Sequence, residues 1–162
     1  LSLLLAAGAA HAQPACGEVL SIATHDRTTT RYALARPQPA SVEGALVALV
    51  LLAGDGGHLD LDDRGCPRAL TGNSLVRSVP LFNGAGFATA LVDAPSDHHG
   101  GDGLGGFRVA APHAADLGRV IADVRARTGA AAVWLVGTSR GSISAVNAAS
   151  RLSGAAAPDG LV

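Results

Sequence analysis

Apolar residues in this chain of 162 residues gather in short unbroken runs, and polar or helical-period stretches separate them. Ala45–Ala53, Phe87–Val92 and Ala131–Val136 are almost wholly apolar and show no alternation. Such runs fit strands covered on both faces, as in a parallel sheet with helices above and below. Leu75, Val76, Val79 and Phe82, behind a capping Gly72-Asn73-Ser74, predict a helix. Pro80 either kinks that helix or moves its start to about Ser78. Pro112 opens a second helix whose Leu117, Val120, Ile121 and Val124 fall at i, i+3, i+4 and i+7. A third, rich in small residues, covers Ser142–Ser153 and stops before Gly154 and Pro158. Glu18–Thr24 and Thr28–Ala35 flank the turn-like His25-Asp26-Arg27 and predict a hairpin. Arg36–Ser41 is a connection, and Leu161-Val162 can begin a further strand. The alternation predicts an α/β protein, with an N-terminal hairpin and a mainly parallel sheet flanked by helices.

The first twelve residues stand apart. Leu1–Ala12 is apolar, rich in small residues, and ends in Ala10-His11-Ala12. It reads as a signal-peptide remnant whose basic start is missing, with a buried N-terminal helix as the alternative. The segment is too short to span a bilayer, and Gln13-Pro14-Ala15-Cys16 does not form a lipid-anchor motif, so no membrane anchor is expected. Residues 13–162 then form the N-terminal part of a single exported domain. In an oxidising compartment Cys16 and Cys66 become a candidate disulfide, with two unpaired cysteines as the alternative.

Charge narrows the partners. The formal net charge is −1, and all 12 basic residues are arginines. The absence of lysine excludes Walker-type phosphate binding and Schiff-base chemistry on a lysine. Without a basic stripe, and with an aromatic share of 3%, nucleic acid is not an expected partner.

Gly137-Thr138-Ser139-Arg140-Gly141 carries the sharpest chemistry. It follows an apolar strand without a gap and precedes a helix, the setting of a nucleophile elbow. A serine at so tight a corner needs a positive φ, and the flanking Gly137 and Gly141 supply the space. Ser139 would then stand at the carboxyl end of the sheet, beside a helix N-terminus that favours negative charge. An inert serine in a glycine-flanked turn is the plainer alternative.

With this motif in that order of elements, the chain resembles the α/β-hydrolase superfamily. Gly72–Asp97 also resembles exported bacterial members of no assigned substrate. The resemblance implies an incomplete α/β-hydrolase fold and acyl transfer to water, on a small-molecule carboxylic ester above all, with no cofactor and no metal. It implies Ser139 as catalytic nucleophile and the backbone N–H of Arg140 as first oxyanion donor. A second donor should lie in Ala53–Gly57, at Asp55 or Gly56; Ala53 stands where the family usually has histidine. Family order places an acid and then a histidine after the serine. Asp159 is the sole acid after Ser139 and no histidine follows it, so both partners are expected beyond Val162. The fragment itself is then expected to be inactive, and the edge of Ala131–Val136 to be left unpaired. The rival reading is a non-catalytic binding protein of the same fold.

Other groups point less clearly. His58, His98 and His99 are expected near the cleft, while His25 and His113 read as surface-turn and helix-start residues. Gly101–Gly106 formally fits a dinucleotide pattern, but it lacks the tight strand–turn–helix setting and reads as a flexible loop. His58–Gly65 echoes a calcium loop with Thr71 at its twelfth position, and reads as a solvated acidic loop neutralised by Arg64 and Arg68. Arg140 could meet an acidic substrate group or a local carboxylate.

Overall fold

The three unbroken apolar runs become neighbouring strands of a six-stranded mixed sheet in the computed structural model, which describes residues 15–38 and 44–162. The leader reading of Leu1–Ala12 lies outside the described residues. Strands β1 (Glu18–Ala23) and β2 (Thr29–Ala35) form the expected antiparallel hairpin. Strands β3 (Val47–Leu52), β4 (Ala88–Val92), β5 (Ala132–Gly137) and β6 (Gly160–Leu161) run parallel to one another, and β2 joins β4 antiparallel. The order across the sheet is β1-β2-β4-β3-β5-β6.

Both faces of β3 and β4 are covered, which explains why their sequences do not alternate. Strand β5, also expected to be covered on both faces, buries Val133 and Leu135 on one face and leaves Trp134 39% exposed on the other. Helices α2 (Ala111–Thr128) and α3 (Gly141–Arg151) place Leu117, Val120, Ile121, Val124, Ala145 and Ala148 over Val50, Leu52, Val133 and Leu135. Helix α1 (Ser74–Gly84) covers the other face, where Leu75 and Val76 join Leu49, Leu51 and Leu91. Each fully buried Leu, Val or Ile contributes roughly 1.5–3 kcal/mol, against about 1 kcal/mol net for a hydrogen bond. Packing therefore holds the layers, and the ladders set the register.

Local signals explain the helix ends. The Asn73 side chain accepts from the N–H groups of Leu75 and Val76 and fixes the start of α1, so Pro80 does not move it. Pro80 lies within the helix on its exposed side, where it forfeits a single backbone bond. Helix α2 has proline in its first turn and ends at Gly129 with φ 65°.

Two expectations are corrected. The edge of β5 is not bare: Trp134 and Leu135 pair with Gly160 and Leu161, and the N–H of Val162 donates to Leu135 O at 2.9 Å. The acidic loop is neutralised by Arg64 on Asp62 and by Arg31, not Arg68, on Asp63.

Cys16 and Cys66 are joined by a disulfide across 50 positions. It pins the segment before β1 to the loop after β3, where the N–H groups of Cys16 and Gly17 both donate to Arg64 O. Closing a loop of this size contributes about 4 kcal/mol in the chain-entropy model. Urea unfolding of the Cys16→Ser, Cys66→Ser double variant is expected to show a loss of about that size.

Candidate active site at the carboxyl end of the central strands

Strand β5 ends at Gly137 and α3 begins at Gly141, so Thr138, Ser139 and Arg140 alone turn the chain. Ser139 is exposed and has φ 51°. The N–H of Gly141 donates to Thr138 O at 2.8 Å and that of Ser142 to Ser139 O at 3.0 Å, which closes the corner. The turn is pressed against the end of β3. A Cβ at position 141 would lie 2.1 Å from Leu52 O, and one at position 137 would lie 2.7 Å from the Gly141 backbone. Hydrogen alone fits at either place.

The segment after β3 reaches the same corner. A Cβ on Gly54 would stand 2.9 Å from Ser139 Cβ. Asp55 has φ 50°, and the N–H of Gly57 donates to Gly54 O at 3.0 Å. The backbone N–H groups of Asp55, Gly56 and Arg140 meet no protein acceptor among the described residues. The loop that touches Ser139 at Gly54 thus carries N–H groups without a protein acceptor, as does Arg140 next to the exposed serine, at the carboxyl edge of the sheet beside the N-terminus of α3.

The glycine-rich segment is docked here rather than free. A Cβ on Gly103 would come within 2.3 Å of Gly56 O, and the N–H of Leu104 donates to that oxygen at 2.9 Å. Arg140 grips both oxygens of Asp102 at 2.9 Å, so its guanidinium serves a local carboxylate. The same pair holds the Asp102 carboxyl below its ordinary range.

The upstream histidines gather at this end of the sheet, but none hydrogen-bonds Ser139 among the described residues. His58 Nδ1 lies 3.1 Å from Asp93 Oδ1, and its ring stacks on His99 at 4.1 Å. Asp93 also accepts from the N–H groups of Leu59, Leu61 and Ala94, which makes it an anchor for the loop. His98 and His99 donate to the carbonyls of Gly103 and Ala94. Asp159 takes the N–H of Val133 and the guanidinium of Arg125, so it is committed to the sheet edge.

Two groups bring ligand atoms within 4.8 Å of one another: His58, Asp93 and His99, and His25, Asp97 and His98. In the first, Asp93 is already occupied by N–H donors, and His99 Nε2 faces Ala94 O. In the second, carboxylates take both ring nitrogens of His25.

Sequence reasoning missed the buried layer behind the loop. Arg108 is 1% exposed and donates to the carbonyls of Ala53, Gly54 and Asp55 and to Ser144 Oγ. His113 lies in the first turn of α2 as expected, but it is 3% exposed, with Nε2 2.8 Å from Ser144 Oγ. His25, expected in a surface turn, is instead tucked between Asp116 and Asp97. Nothing in the local sequence marks these positions, since an arginine after a glycine-rich stretch ordinarily faces water.

The two histidines titrate in opposite directions. Burial works to lower the His25 pKa, but Asp116 and Asp97 raise it above the ordinary value. Its contribution is complete below pH 6.5 and is lost as pH rises through the folded pKa. Burial, and then the Arg108 charge, push His113 down to about 4. Its contribution is complete above pH 6.5 and is lost as pH falls toward 4. Urea unfolding between those pH values should show the native chain losing on the order of 3 kcal/mol more than a His113→Gln variant. Gly141→Ala is expected to cost more than about 4 kcal/mol by the same assay, whereas Gly72→Ala should stay within about 0.5 kcal/mol. A Cβ on Gly72 meets nothing within 4 Å.

No family model and no curated protein sequence matches the chain. Solved structures do. A lidless α/β serine hydrolase from Xanthomonas campestris superposes with a TM-score of 0.58 at 19% identity, over 93% of this chain and 60% of that one. A cold-adapted esterase from an Arctic intertidal metagenomic library gives 0.56 at 20% identity, over 82% and 54%. Brefeldin A esterase, a bacterial homologue of human hormone-sensitive lipase, gives 0.50 at 23% identity, over 87% and 36%. The chain spans 60% or less of the length of each of these proteins. With its mixed sheet, flanking helices and chain order, it has an incomplete α/β-hydrolase fold.

Proposed function

We propose that the whole protein is an exported serine hydrolase that cleaves small carboxylic esters by acyl transfer through Ser139. One observation carries this reading. An exposed serine on a positive-φ corner lies against the loop after β3, and the N–H groups of Asp55 and Gly56 in that loop and of Arg140 have no protein acceptor among the described residues. In this role Gly137-Thr138-Ser139-Arg140-Gly141 is a nucleophile elbow. Ser139 Oγ attacks the acyl carbon, and the N–H groups of Arg140 and of Asp55 or Gly56 hold the oxyanion. One such donor supplies about 3–4 kcal/mol to the transition state. The esterases among the structural neighbours favour an ester substrate, and the disulfide favours an oxidising compartment.

The hydroxyl needs a base, and Ser139 Oγ has no hydrogen-bond partner among the described residues. On this reading the histidine and its orienting acid lie beyond Val162, and the chain of 162 residues is expected not to turn over. That unpartnered hydroxyl is also what favours the second reading, a binding protein of the same fold that lacks the base.

A fluorophosphonate probe separates the two. The full-length protein should be labelled and should hydrolyse p-nitrophenyl esters, and Ser139→Ala should remove both properties. The chain of 162 residues should hydrolyse nothing above background. Absence of labelling in the full-length protein would favour the binding protein, and turnover by the shorter chain would overturn the placement of the base.

A further inference from the structure

Arg108 is the largest fully buried side chain among the described residues, and no carboxylate hydrogen-bonds to it. A guanidinium taken out of water without a paired anion is costly unless other acceptors replace the solvent. Here backbone does so for Nη2, which donates to the carbonyls of Ala53, Gly54 and Asp55 at 3.3, 3.4 and 2.9 Å, while Nε is buried without a partner among the described residues. Nη1 donates to Ser144 Oγ at 2.8 Å, and that hydroxyl is within 2.8 Å of His113 Nε2. Asn147 Nδ2 donates to the carbonyl of Arg108 itself at 3.0 Å. Helix α3, whose first turn follows Ser139, thus holds both the side chain and the backbone of the arginine.

The geometry of the peptide unit gives these contacts a consequence. In a planar trans peptide the C=O and the following N–H point in opposite directions. The carbonyl of Gly54 shares its peptide with the N–H of Asp55, and the carbonyl of Asp55 shares its peptide with the N–H of Gly56. A cation that draws both carbonyls toward the interior turns both N–H groups away from it. Neither of those N–H groups has a protein acceptor among the described residues, and their loop touches Ser139 at Gly54.

We propose that Arg108 is a positioning residue for acyl transfer, which orients the N–H groups of Asp55 and Gly56 as oxyanion donors by holding the carbonyls of their own peptide units. The inference rests on the serine-hydrolase reading and adds the part that aims its second donor. The fork is essential: one planar guanidinium spans three carbonyls and a hydroxyl, which a single ammonium cannot reach together.

The test compares Arg108→Lys and Arg108→Met with the unaltered full-length protein. The readouts are kcat and KM for p-nitrophenyl acetate, amide hydrogen exchange across Gly54–Gly57, and thermal unfolding. Arg108→Met is expected to lower kcat about 100-fold with KM changed less than about threefold, the signature of a lost transition-state donor. Exchange across Gly54–Gly57 should rise at least about tenfold while the β3 and β5 amides keep their protection. Arg108→Lys should recover part of kcat. Unchanged kcat with unchanged loop exchange overturns the proposal, as does a rise in exchange that spreads evenly over the whole chain. Should Arg108→Met fail to fold, Arg108→Lys decides: reduced kcat with faster loop exchange and a nearly unaltered Tm supports the proposal, and native values overturn it. If the unaltered protein and Ser139→Ala are equally inactive, the hydrolase reading fails. Loop exchange then still reports separately whether Arg108 holds the loop.

Discussion

The end of β3 lies so close to the turn after β5 that only hydrogen fits between them. Leu52 O would stand 2.1 Å from any Cβ at position 141, and Ser139 Cβ would stand 2.9 Å from one at position 54. Two adjacent strands thus deliver their loops to one point, and the positive φ at Ser139 and at Asp55 follows from that crowding. Strain of this kind persists only where the surroundings over-determine it. Here they do. Strand β3 is buried on two faces, Val133 and Leu135 of β5 lie in the core beside it, and the Thr138 N–H is tied to Leu52 O.

Behind the crowded corner lies a polar layer that an apolar core would ordinarily exclude. Arg108, Ser144, His113 and Asn147 are all buried, and they link the loop after β3 to helices α2 and α3. Phe107 lies against His25, His98 and His113, and so connects this layer to the hairpin turn and to the segment after β4. Arg108 stays charged at neutral pH even though burial pulls its pKa down to about 10. Beside that charge His113 is held neutral. Farther out, the two carboxylates on His25 favour the opposite state. One aromatic ring thus separates a histidine kept neutral from one pushed toward its cationic form.

The glycine-rich segment illustrates how context changes the meaning of a motif. Gly101–Gly106 has the spacing of a phosphate-binding turn, and by composition alone it reads as mobile. In the fold its glycines serve close approach instead, since Gly103 meets the backbone of Gly56. Asp102 anchors the same segment to Arg140, and His98 anchors it to Gly103 O. The rim of the site is thereby built from three loops that follow β3, β4 and β5.

Much of this was legible along the chain. Unbroken apolar runs announced three neighbouring strands, two of them covered on both faces, Asn73 and Pro112 marked helix starts, and Gly137–Gly141 marked the corner, because each of these depends on local sterics and periodicity. The buried arginine and the clamped histidines were not legible, because their partners stand 31 to 91 positions away. Leu161-Val162 was legible as the start of a further strand, but its pairing with β5 was not, as a two-residue strand has no periodicity to read. Local pattern decided which elements form and where the serine turns. Tertiary packing decided which polar groups are drawn out of water together, since desolvation and charge act between whatever residues the fold brings into contact.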